Sequence, residues 1–104
     1  MKQKDGSVEV GELRKRRDAL VAELAASPGW VLGSLVETMR KLNGKKTPFR
    51  YLSRSVAGKN RILYVSAAQM TPFGTAVDAG RLAVRLLEDI SELNARLIKA
   101  GERP

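Results

Sequence analysis

Phe49-Arg50-Tyr51-Leu52-Ser53-Arg54-Ser55-Val56, then Ala57-Gly58-Lys59, then Asn60-Arg61-Ile62-Leu63-Tyr64-Val65 is the stretch on which the fold turns. Its residues alternate. Phe49, Tyr51, Ser53 and Ser55 fall on one side, Arg50, Leu52, Arg54 and Val56 on the other. After the short glycine turn, Ile62 and Tyr64 lie opposite Arg61, Leu63 and Val65. A period of two, rich in aromatic and β-branched residues around a glycine turn, predicts a β-hairpin.

Moving outward, Asn43-Gly44 is a turn signal and Lys45 to Pro48 reads as an extension of that loop. Before it, Trp30 to Leu42 suits two states. Val31, Leu32, Leu35, Val36, Thr38 and Met39 favour a strand, whereas Leu32, Leu35, Val36 and Met39 also follow helical spacing. A strand over residues 32–41 is the better choice, because the two strands that follow need a partner.

Helices flank this region. Residues 7–26 carry Val10, Leu13, Leu20 and Leu24 as an apolar stripe, with Ser7 as a candidate N-cap and Ser27-Pro28-Gly29 as the stop. Arg17 falls within the stripe, where its stem can snorkel. Residues 71–100 form a second, long helix, opened by Thr71-Pro72 and closed by Gly101. Ala76, Ala79, Ala83, Leu86, Ile90, Leu93, Leu97 and Ala100 recur at four/three spacing, like a coiled-coil seam. That is more apolar surface than a three-stranded sheet covers. Either the first helix covers the excess or a second copy of the chain does, through Ala83, Leu86, Ile90, Leu93 and Leu97.

The resulting expectation is one α+β domain over residues 1–104: an N-terminal helix, a three-stranded antiparallel β-meander over residues 32–65, and a long C-terminal helix packed on the sheet. Residues 1–6 and 101–104 read as flexible ends. Trp30, just after a helix stop, reads as a core plug.

Charge is the other informative feature. The 104 residues hold 19 Lys and Arg against 11 Asp and Glu, a formal net charge of +8. The window from Arg40 to Arg61 alone carries that net charge: Arg40, Lys41, Lys45, Lys46, Arg50, Arg54, Lys59 and Arg61, with no acidic residue among them. Such clustered cations repel one another and favour a polyanionic partner. With Tyr51 as a stacking ring, these residues form the expected nucleic-acid site, DNA ahead of RNA. A solvated basic edge that keeps the sheet from aggregating is the plainer reading of any one of them.

Catalysis finds little support. The chain has no His and no Cys, which removes the commonest general base, the commonest metal ligand and every thiolate chemistry. Ser53, Ser55, Tyr51 and Tyr64 lie among arginines without a base. Glu88, Asp89 and Glu92 are close enough in sequence to hold Mg²⁺, but Arg85 and Arg96 flank them and ion pairing along the helix is the simpler role. No phosphate-binding glycine loop is present. The expectation is a non-enzyme with no cofactor and no metal. The N-terminus has no apolar run after its lysines, and no stretch reaches membrane-spanning length, so a cytoplasmic protein is expected.

Gly33-Ser34-Leu35-Val36-Glu37, Pro48-Phe49-Arg50-Tyr51-Leu52-Ser53-Arg54, Gly58-Lys59-Asn60-Arg61, Tyr64-Val65 and Ile90-Ser91-Glu92-Leu93-Asn94 together resemble a small uncharacterised bacterial and phage family, a domain of unknown function found in mobile elements near transposases. The resemblance runs from Gly33 to Leu97. It departs at Leu42-Asn43-Gly44-Lys45-Lys46-Thr47, where members of that family carry a cysteine-rich loop. What it implies is the architecture and a mobile-element or phage setting. The leading expectation is a dimeric, DNA-binding accessory. Its rival is an adaptor or inhibitor that docks on a host or transposition protein through the apolar C-terminal helix.

Overall fold

The computed structural model describes residues 2–104, with side chains from residue 9 onward. The elements are helix α1 (Lys2–Ala26), strands β1 (Ser34–Leu42), β2 (Lys45–Val56) and β3 (Lys59–Tyr64), a 3₁₀ turn at Ala67–Gln69 and helix α2 (Met70–Lys99). The sheet is antiparallel in the order β1-β2-β3, so the α+β meander is the fold.

Both hairpins close through two residues at positive φ: Asn43 (51°) and Gly44 (81°), then Ala57 (52°) and Gly58 (79°). Two successive left-handed residues make a type I′ turn, whose twist matches that of the flanking strands. The first turn is therefore only two residues long. Lys45 to Pro48, expected as loop, belong to β2, where Pro48 pairs with Met39. Pro48 is tolerated because β3 pairs only with Tyr51 to Val56, leaving β2 with a single neighbour at that point.

Within the fold, two compact units can be distinguished. One is Gly29–Arg81; the other joins the residues up to Pro28 with Leu82–Pro104.

In the sheet unit, Leu35, Leu52 and Leu63 form one row across the three strands. Leu52 is the centre of its core, 1% exposed, and Val77 of α2 is buried as well. Gly74 faces Leu35: a Cβ there would sit 4.0 Å from Leu35 Cδ2. The extended segment before β1 lies backbone to backbone on α2. Val31 N–H donates to the Ala76 carbonyl at 3.0 Å, and a Cβ on Gly80 would collide with the Val31 carbonyl oxygen. Since it is the backbone of this segment that makes the close contact, Trp30 does not plug a core and stays 39% exposed.

In the helical unit, Val10, Leu13, Leu20 and Leu24 of α1 are half-buried, and so are Arg14 and Arg17 in the same stripe. Arg17 Nη1 donates to Asn94 Oδ1 at 2.7 Å and its Nε to Asp18 Oδ1 at 2.7 Å. Arg14 Nη2 donates to Glu102 Oε1 at 2.9 Å and to the Arg103 carbonyl at 3.1 Å. These contacts run α1 antiparallel to α2. They also bring Glu102 and Arg103 of the C-terminal tail against α1.

Two helix starts differ from expectation, and one helix end agrees with it. α1 starts at Lys2, so Ser7 lies inside it rather than capping it, and residues 2–6 are helical; Met1 lies outside the described residues. α2 is reached through Ser66, whose N–H donates to Gln69 Oε1 at 2.9 Å, and starts at Met70, so Thr71 and Pro72 fall within its first turn instead of serving as N-cap and first helical residue. At the far end Gly101 (φ 85°) stops the helix as expected. Glu102 N–H donates to the Leu97 carbonyl and Gly101 N–H to that of Ile98, both at 2.9 Å, a Schellman closure.

Candidate nucleic-acid interface

Residues paired directly across an antiparallel sheet share a face, and neighbours along a strand alternate. The register therefore sorts the acid-free window. Lys41, Lys46, Arg50, Arg54, Lys59 and Arg61 share the face that carries Leu35 and Leu52; Arg40, Lys45 and Tyr51 lie on the reverse. The expected single patch is split between two faces.

It is also split along the strand. Because β3 stops at Tyr51's partner, β1 and β2 continue from Arg40 to Thr47 as a two-stranded arm. Arg40, Lys41, Lys45 and Lys46 are exposed on this arm, and Lys41 pairs directly with Lys46. Arg54, Lys59 and Arg61 gather at the other end of β2, where Arg54 pairs directly with Arg61. The eight residue steps from Lys46 to Arg54 separate the clusters by about 27 Å.

Arg50, between them, is not a free cation. Its Nε donates to Glu37 Oε2 at 2.6 Å, and its side chain is only 23% exposed. Glu37 lies outside the acid-free window in sequence but directly opposite Arg50 in register. It was missed as a functional residue, though a two-residue turn at Asn43-Gly44 already implies this pairing.

On the reverse face, Phe49 and Tyr51 are half-buried and Tyr64 is 63% exposed. Tyr64 meets both rings edge-on, with centroids 6.5 Å from Phe49 and 6.3 Å from Tyr51. The Arg40 guanidinium sits 4.9 Å above the Phe49 ring, a cation–π contact. Ser53 Oγ donates to Asn60 Oδ1 at 3.0 Å. The hydroxyls of Tyr51, Ser53, Ser55 and Tyr64 thus face away from Arg50, Arg54 and Arg61, unlike the mixed hydroxyl–arginine cluster that the sequence suggests.

The expected dimer surface has a different fate. Ala83, Leu86, Ile90, Leu93 and Leu97 are all buried within one chain, Leu97 completely. In the helical unit Leu93 lines a cavity with Leu13 of α1, so α1 covers this part of the seam. Of the acidic trio on α2, Glu92 Oε2 accepts from Arg96 Nε at 3.2 Å, and among the described residues no cluster is arranged to hold a metal ion. Among those residues, too, no helix is long and apolar enough to cross a membrane. No protein-family model, curated protein or solved structure matches the chain.

Proposed function

We propose that the chain is a non-catalytic nucleic-acid-binding protein that grips double-stranded DNA with its two-stranded basic arm. The observation that carries this reading is the arm itself: Arg40, Lys41, Lys45 and Lys46 exposed on a ribbon without a carboxylate, two of them directly opposed. Like charges set face to face weaken a sheet, and a line of phosphates relieves that cost by releasing its counterions. A two-stranded ribbon fits the roughly 12 Å width of the B-form major groove. Arg54, Lys59 and Arg61 would add a second contact farther along β2. An accessory role in a mobile element or phage, the setting the motif resemblance implies, fits a small binding module.

The test is fluorescence anisotropy on a labelled 15-bp duplex across a salt series. Four arm cations give a log–log slope of roughly −3 to −4. Lys41→Glu with Lys46→Glu should abolish binding while the circular dichroism spectrum is kept. Unchanged duplex affinity in that variant rules the arm out.

A further inference from the structure

The arm's grip on a duplex draws Arg40 and Lys45 from the reverse face of the sheet and leaves the aromatic residues of that face unused. Three rings, Phe49, Tyr51 and Tyr64, stand together there, with Val36 and Ile62 beside them in register. α2 approaches the other face, through Leu35, and Tyr64 is left 63% exposed. Burying three aromatic side chains in a core is the usual way to gain from them, yet here Phe49 and Tyr51 are only half-buried, Tyr64 stays open to solvent, and cations stand at the rim. Arg40 lies over Phe49, and Lys45 projects from the same face of the arm.

We propose that this face is a stacking platform for single-stranded DNA, next to the duplex held by the arm. The inference rests on the nucleic-acid reading of the arm and goes beyond it by naming a second site and its ligand.

Three observations select the occupant. Aromatic rings need exposed π-faces to stack on, and a duplex hides its base faces within the stack, whereas an unpaired strand presents them. The three rings meet edge-to-face, Tyr64 inclined at 64° to Phe49 and 70° to Tyr51, so the two half-buried rings brace Tyr64, the exposed ring on which an unpaired base can stack. Arg40 and Lys45 at the rim complement a phosphate backbone, and no carboxylate of β1, β2 or β3 lies on this face, since Glu37 belongs to the other. DNA is selected over RNA by the arm. The deep, narrow major groove of A-form RNA excludes a ribbon, while the B-form groove admits one, and arm and platform are built on the same strand, β2.

Anisotropy with labelled dT15, U15 and a 15-bp duplex tests the proposal. The wild type should bind dT15 more tightly than U15. Tyr64→Ala should lower dT15 affinity roughly tenfold and leave duplex affinity within about twofold, while Tyr64→Phe, which keeps the ring, should bind as the wild type does. Tyr51→Leu, which keeps apolar bulk at a half-buried position, should weaken dT15 in the same direction. The proposal is overturned if dT15 does not bind at low salt, if U15 binds more tightly, or if Tyr64→Ala binds dT15 like the wild type. The arm variant Lys41→Glu with Lys46→Glu separates the two readings: intact duplex binding there overturns the arm, whereas an unaffected Tyr64→Ala overturns the platform.

Discussion

Arg54 and Arg61 face each other directly across β2 and β3. Two guanidinium groups at one register position, on the same face and without a carboxylate between them, cost stability whenever no anion is present. Arg54→Glu turns this repulsion into a cross-strand pair. It should stabilise the free protein by up to about 1 kcal/mol at low salt, and the gain should shrink as salt screens exposed charges. Urea melts at two ionic strengths measure both effects. A stability loss at low salt would show that the two side chains splay apart and carry no repulsion.

Gly80 lies in the middle of α2, where helix propensity alone favours alanine by about 1 kcal/mol. The structure reverses that sign. A Cβ at this position meets the Val31 carbonyl oxygen, in the segment whose Val31 N–H is bonded to Ala76. Gly80→Ala should therefore destabilise the protein by roughly 1–3 kcal/mol. Gly11→Ala in α1, where nothing stands within 4 Å of the new atom, should gain about the propensity difference. Chemical denaturation of the two variants side by side decides it, and a stabilised Gly80→Ala would sink the backbone contact.

How much of this was legible in the sequence depends on how local each signal is. The alternation from Phe49 to Val65 and the glycine turn specify the second hairpin by themselves. Lys45 to Pro48 misled, because a proline beside lysines resembles loop chemistry, while the absence of β3 there makes the strand tolerant. The partner of Arg50 lies 13 residues away and emerges only from register. Yet that register follows from a two-residue turn at Asn43-Gly44, since any such turn sets Glu37 opposite Arg50. The spacing on α2 marks an apolar seam, and the sequence favours a second copy of the chain as its cover, whereas the seam is already buried within one chain. The matching stripe on α1 is interrupted by Arg14 and Arg17, and only the structure shows Arg17 bonded to Asn94 and Arg14 bonded through Nη2 to Glu102 and the Arg103 carbonyl, with Arg14 Nε buried without a partner.

Ala57 occupies the first position of a type I′ turn at φ 52°, a conformation that costs an L-residue with a Cβ about 1 kcal/mol. Asn43 holds the same position in the other hairpin without that penalty, since Asn tolerates left-handed backbone. Ala57→Asn should raise stability by about 0.5–1 kcal/mol, and Asn43→Ala should lower it by a similar amount. Thermal melts of both variants would show shifts of opposite sign; shifts of the same sign would contradict the shared turn geometry.

The ion pair between Arg50 Nε and Glu37 Oε2, at 2.6 Å, leads to the last prediction. Glu37 is the single carboxylate in register with the basic window, and it holds Arg50 between the arm and the Arg54–Arg61 cluster. Glu37→Gln removes the charge and keeps the shape. As a half-exposed pair, its loss should cost about 0.5–1 kcal/mol of stability. Binding should move the other way. With Arg50 released, one more cation can neutralise a phosphate, so duplex affinity should rise and the log–log salt slope should steepen by about 0.9. A variant that is less stable yet binds DNA more tightly is hard to obtain by damage to the fold, which makes the opposed signs the informative result. If the salt slope is unchanged in anisotropy titrations, Arg50 lies outside the contact surface, and the interface reduces to the arm and the far end of β2.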